Sequence, residues 1–215
     1  MAPSTQELEP PTIPGRFIVP YITIATEDEL SEAVGLRLVE DILPTFEVAN
    51  MLRRGGNGYL KRKCLDFNRM ALRHPVFLIT DLDDTQCASA LINSWFGQVP
   101  KNANLIFRVA VREVESWLLA DHQGMATLLE RGANNITLNP DHLPDPKQYL
   151  LRCAKRAPRD VKNDLIRSKG ALASQGLGYN SRLCSFVREI WAPEQASQRS
   201  DSLRRAVERL REVDQ

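Results

Sequence analysis

Two carboxylates, Asp81 and Asp83, stand one residue apart directly after the apolar run Val76-Phe77-Leu78-Ile79. Side chains two apart in an extended segment share a face, so the pair can converge on one point beyond the strand end. Converging oxygen ligands without histidine or cysteine suit Mg²⁺ or Mn²⁺ rather than zinc. Glu27 follows a second β-rich run, and Glu113 lies in the first helical turn after a third. If these strands are parallel, Glu27, Asp81, Asp83 and Glu113 all lie at one carboxyl edge, where open α/β sheets bind ligands. Carboxylates crowded there raise each other's pKa unless a cation neutralises them. A plainer reading stands beside this one. Glu27 or Asp84 would then only cap the following helix, and Glu113 and Glu115 would form a solvated helix edge.

The elements that must position these groups alternate in type. Phe17 to Thr26 is β-rich, with Pro20 delaying the regular strand to Tyr21. Leu30, Val34, Leu38 and Ile42 have helical spacing, which Pro44 stops. Phe46 to Leu52 is a second strand candidate, and residues 53–58 form a glycine-rich loop into a basic helix from Tyr59 to about Leu72. After the Val76–Ile79 strand come a helix over Thr85 to Phe96 and a fourth strand over Leu105 to Val111. Helical spacing then resumes through Val111, Val114, Trp117 and Leu118. The alternation predicts an α/β fold with a Rossmann-like parallel sheet of about four strands flanked by helices. Beyond Asp121 the chain reads as helical, near Lys147 to Lys155, Ser181 to Trp191 and Ala196 to Val213, after a proline-punctuated connector at 139–146. The expected organisation is an N-terminal arm over 1–16, the α/β domain over 17–138 and a helical C-terminal extension over 139–215. The stripe Leu203, Val207, Leu210 and Val213 is expected to pack on the sheet domain, with a dimer or a partner surface as the other use of it.

Hydrophobic residues make up 43% of the chain, charged residues 26%, and 28 basic residues face 27 acidic ones. That balance argues against a chain coated in positive charge for nonspecific nucleic-acid binding, so any such contact must be local. No apolar run approaches the roughly 20 residues of a membrane span, and no secretory signal opens the chain. Cys64, Cys87, Cys153 and Cys184 are widely separated and lie near no histidine, which suggests reduced thiols and a cytoplasmic protein.

A glutamate after the first strand and Asp-x-Asp after the third resembles the TOPRIM domain of topoisomerases, primases and overcoming-lysogenisation-defect nucleases. More narrowly, TIATEDELSEAV, VFLITDLDD, REVESWLLAD, DPKQYLLRC and SKG resemble a bacterial family of small TOPRIM-like proteins, often encoded beside an ATPase of the ABC or SMC type. The resemblance implies that Glu27 is the TOPRIM glutamate and that Asp81 and Asp83 are the metal-binding pair. It places Glu113 and Glu115 on the family's own acidic motif, and offers Lys169 as the basic group near the metals. Asp28 stands where TOPRIM domains usually have glycine.

The implied activity is an Mg²⁺- or Mn²⁺-dependent nuclease acting on DNA or RNA. Asp81 and Asp83 would hold the ion, Glu27 would complete the coordination or deprotonate a water, and Glu113 would serve a second ion. Arg53, Arg54, Lys61, Arg62, Lys63 and the stretch from Arg152 to Lys169 would steer phosphates. The alternative from another class is a non-catalytic regulatory subunit of an ABC- or SMC-type ATPase in antiphage defence. A third reading takes Asp81-Leu82-Asp83-Asp84-Thr85 as the D-x-D-x-T signature of haloacid-dehalogenase-type phosphatases. It suffers from the two strands that precede the motif, from Gln86 and from the helical C-terminal half.

Overall fold

Four runs rich in β-branched, aromatic and aliphatic residues become strands: β1 (Tyr21–Thr26), β2 (Glu47–Arg53), β3 (Val76–Asp81) and β4 (Leu105–Ala110). The computed structural model describes residues 19–53, 55–168 and 173–214. The expected N-terminal arm, Arg54 and Lys169 therefore lie outside the described residues. Every strand pairing is parallel, and the order across the sheet is β2-β1-β3-β4. The crossovers are α1 (Glu29–Ile42), α2 (Asn57–Met70) and α3 (Ala88–Phe96).

Period-two alternation along the strands divides the interior into two cores. Ile22, Ile24, Phe77, Ile79, Ile106 and Ala110 pack with Leu30, Val34 and Leu38 of α1 on one face. Ala25, Val76, Leu78, Leu105, Phe107 and Val109 pack with Leu60 and Phe67 of α2 and Leu91 and Trp95 of α3 on the other. Because both faces are covered, the central strands read as continuous apolar runs rather than as alternating ones. At Gly35 a Cβ would stand 3.0 Å from Cγ2 of Ile24 and 3.1 Å from Cδ1 of Ile79, so glycine lets α1 lie close on the two central strands.

The rest of the chain is helical: α4 (Glu115–Ala120), α5 (His122–Leu129), α6 (Pro146–Ala154), α7 (Arg159–Leu165), α8 (Tyr179–Glu189), α9 (Pro193–Ala196) and α10 (Asp201–Arg211). All of these contribute to the core on the α1 face. Two buried tryptophans knit it together, Trp117 donating from Nε1 to Ser202 Oγ at 2.7 Å and Trp191 from Nε1 to the Trp117 carbonyl at 3.1 Å. The α10 stripe is internal, with Leu203, Val207 and Leu210 buried and Val213 packed against the same core.

Several element boundaries differ from the sequence expectation. The last helix does not run unbroken from Ala196, because Ser200 caps α10 by accepting from the Leu203 N–H. α3 starts at Ala88 rather than Thr85, since residues 82–85 form a turn closed by the Thr85 N–H and the Leu82 carbonyl. α4 starts at Glu115 rather than continuing from Val111. No helix among the described residues is long and apolar enough to cross a membrane.

Candidate functional site

The order β2-β1-β3-β4 means the chain leaves β1 toward one edge and β3 toward the other. A crevice opens between neighbouring strand ends where the winding reverses, and ligands of doubly wound sheets settle there. Glu27 follows β1 and Asp81 ends β3, so these two carboxylates face each other across that point. Oε1 of Glu27 accepts from the Asp81 N–H at 3.0 Å and from the Thr80 hydroxyl, tying the two strand ends together. Asp28, not Glu27, is the helix cap: its side chain accepts from the Ser31 N–H at 2.8 Å. Its φ of −141° lies in ordinary extended space, so aspartate is unstrained at a position where glycine is usual in the domains the motif resembles.

Asp81 reaches the other way, its Oδ1 accepting from the Val114 N–H at 2.9 Å at the start of α4. Asp83 sits at φ +50°, a left-handed conformation that aspartate tolerates better than most residues. Arg112 holds this turn from both sides. Its carbonyl accepts from the N–H groups of Leu82 and Asp83 at 2.9 and 3.0 Å, while its Nη1 donates to the carbonyls of Asp83 and Thr85, each at 2.9 Å.

Glu113 and Glu115 complete the edge. Oε2 of Glu113 accepts from the Lys147 N–H at 2.9 Å, where Pro146 at the first position and Asp145 as cap begin α6. Glu115 is buried, with Oε1 accepting from the Tyr179 hydroxyl at 2.8 Å and lying 3.8 Å from Lys147 Nζ. The same ammonium stands 4.9 Å from the centre of the Tyr179 ring.

The charges register this crowding. Burial raises the Asp81 carboxyl well above its usual range, and the charges of Glu115, Glu27, Asp28 and Asp83 push the same way. Burial also raises Glu27, against the hydrogen bonds from Thr80 and Asp81. Glu113 is raised by burial, with Asp145 and Asp83 adding to it. For Glu115 burial outweighs the nearby Lys147 charge and carries the group to about 7. The structure thus brings Glu27, Asp81, Asp83, Glu113 and Glu115 to one edge. Lys169 lies outside the described residues.

Among the described residues, no three His, Cys, Asp or Glu side chains are placed to hold a metal ion together. The edge is therefore no all-protein cage. Its donor set suits Mg²⁺ on other grounds, because Mg²⁺ keeps several waters and takes one or two carboxylates together with substrate phosphate. In three of the carboxylates the side-chain hydrogen bonds found among the described residues fall on a single oxygen: Oε1 of Glu27, Oδ1 of Asp81 and Oε2 of Glu113. Asp83 has interactions of its own, with the charges of Glu27, Asp81 and Glu113 among them. Beside the turn opens a cavity of about 710 Å³, lined among others by Leu82, Asp84, Cys87, Arg112 and His142.

Sequence reasoning missed Thr80, Arg112, Lys147 and Tyr179 as parts of this site. Lys147 had a readable signal, because Asp145-Pro146 announces a helix start and places the next residue at the site's rim. Tyr179 had none, being 64 residues from the glutamate it touches. No protein-family model matches the chain, and neither a curated protein nor a solved structure is detectably similar to it.

Proposed function

We propose that the protein is a TOPRIM-type, Mg²⁺-dependent phosphodiesterase whose substrate is DNA or RNA. The observation that carries this reading is the meeting of Glu27 and Asp81 across the point where the parallel sheet reverses its winding, with Asp83, Glu113 and Glu115 gathered on the same edge. A structural use of carboxylates would spread them to helix caps and surface pairs, as Asp28 and Asp66 illustrate. Gathering several of them where each raises its neighbours' pKa destabilises the fold unless a cation is taken up.

Asp81 and Asp83 would hold the ion, with Glu27 or Glu113 reaching it through water. Bound there, Mg²⁺ would supply the positive charge that polarises a phosphodiester and offsets the repulsion between the acidic edge and a nucleic-acid backbone. Glu27, its pKa raised by burial and its carboxylate fixed by Thr80 and Asp81, is placed to take a proton from a water at the crevice. Arg112 keeps Asp83 in its left-handed turn. Lys147, with Nζ 3.8 Å from Glu115 Oε1, is a second candidate beside Lys169 for the basic group near the ion.

Neither competing reading gains from the structure. The ATPase-subunit reading drew on an apolar C-terminal stripe, and that stripe is buried in this chain's own core. The phosphatase reading is disfavoured by topology, since β1 and β2 precede the motif and the elements after β4 are helical among the described residues. The deciding experiment is cleavage of plasmid DNA and of RNA with Mg²⁺ by wild type and by Asp81→Asn/Asp83→Asn. Loss of cleavage in a variant with a native circular-dichroism spectrum is the expected result, and undiminished cleavage would sink the reading.

A further inference from the structure

The last turn of α6 and the short helical turn at Glu130–Ala133 enclose a cleft of about 390 Å³ lined by Arg131, Asn135, Tyr149, Arg152, Lys155 and Arg156, with others. Several cations among the described residues are matched: Arg37 with Asp41, Arg182 with Asp160 and Asp164, Arg204 with Asp201 and Glu208. Among the described residues no carboxylate pairs with Arg131, Arg152, Lys155 or Arg156. Four like charges around one concavity repel unless an anion sits among them.

The cleft is also rigid. Tyr149 donates to the Asn135 carbonyl at 2.7 Å and accepts from the Thr137 N–H at 3.0 Å, and the Arg152 guanidinium lies 5.4 Å from the centre of that pinned ring. The two walls meet so closely that a Cβ at Gly132 would stand 2.5 Å from the Cys153 carbonyl oxygen. Cationic side chains presented from such a frame lose little freedom on binding, and arginine forks match phosphate oxygens.

One element joins this cleft to the acidic edge. α6 begins with Lys147 against Glu113 and Glu115 and ends with Arg152, Lys155 and Arg156 at the cleft. From Lys147 to Lys155 the helix advances about 12 Å at 1.5 Å per residue. We propose that the cleft is the phosphate anchor for a nucleic-acid strand, gripping its backbone about 12 Å along α6 from the acidic edge. The identity of the strand as substrate rests on the nuclease reading; the binding claim does not.

The test is fluorescence anisotropy with a labelled single-stranded oligonucleotide, in EDTA, over a series of salt concentrations. The proteins are wild type, Arg152→Glu/Lys155→Glu, the milder Lys155→Ala/Arg156→Ala, and Asp81→Asn/Asp83→Asn. The cleft variants are expected to bind at least about tenfold more weakly whatever the sequence, and to lose about 1.4 from the salt slope for two phosphate contacts. Asp81→Asn/Asp83→Asn is expected to bind at least as tightly as wild type, because it removes two charges that repel the backbone when no Mg²⁺ is present. Cleft variants that keep wild-type affinity and slope overturn the proposal. So does a wild type that binds no oligonucleotide, or that binds free phosphate or a mononucleotide as tightly as the strand. Cleft-dependent binding by a protein that cleaves nothing with Mg²⁺ leaves the anchor standing and removes the nuclease reading instead.

Discussion

Glu115 is the residue at which burial and charge compete most directly. Its ordinary value of 4.5 rises to about 7 in the folded chain, so between those limits the folded protein holds a proton that the unfolded chain has lost. That contribution to stability is fully present below pH 4.5 and is lost as pH rises through about 7. Denaturant melts in EDTA at a series of pH values should therefore show the wild type losing stability across this window. Glu115→Gln should show a flatter profile, and parallel profiles would contradict the assignment. Arg112 tests a different link, since it touches the Asp83 turn through backbone carbonyls rather than through the carboxylate. Supporting residues of this kind typically control metal affinity by ~10–100-fold. Arg112→Ala should weaken Mg²⁺ binding by calorimetry within that range while leaving the melting temperature nearly unchanged. The carboxylates were legible in the sequence because an apolar run fixes where a strand ends, and its next residues must emerge there. Thr80, Arg112 and Tyr179 were not, because ordinary residue types acquire a role only through neighbours distant in the chain.

At the scale of elements, Asp121 shows how one carboxylate can join two helices. Buried at the end of α4, it accepts from the Gly124 N–H at 2.9 Å with Oδ1, capping α5, and from the Ala192 N–H at 2.9 Å with Oδ2, at the start of α9. Gly124 is required beside it, because a Cβ there would come within 2.3 Å of Oδ2. Asp121→Ala removes a cap and leaves a partly buried N–H without its acceptor, so a loss of about 2–3 kcal/mol is expected. Urea denaturation should read it as a lower midpoint at an unchanged slope, and a shift below about 0.5 kcal/mol would mean that other groups take over both bonds. The strands were readable because β-branched runs between turn signals have few other uses. α5 and α7 went unread, since eight and seven residues give too few turns for a helical period to stand out. The break at Ser200 carried a legible capping signal, a serine directly before the helix whose apolar stripe begins at Leu203.

For the whole molecule, the gathered carboxylates and the even balance of 28 basic and 27 acidic residues set the response to solution conditions. Protons and Mg²⁺ compete for the same raised carboxyls, so added Mg²⁺ should raise the melting temperature more above about pH 7 than near pH 5. Scanning fluorimetry with Ca²⁺-free Mg²⁺ buffers would check this, and an Mg²⁺ shift that shrinks with rising pH would speak against an ion at this edge. The α/β class and the parallel sheet followed from the alternation of elements; the piling of all later helices on one face did not, because apolar stripes specify burial without naming a partner. That asymmetry bears on how the chain is made. The core on the α2 and α3 face draws its buried residues only from Ala25 to Val109, whereas the core on the α1 face draws on residues from Ile22 to Leu210. On a ribosome, one side of the sheet can close once Val109 has emerged. The other side must present bare α1 and strand residues until α10 arrives, which makes the growing chain a natural client for a nascent-chain chaperone.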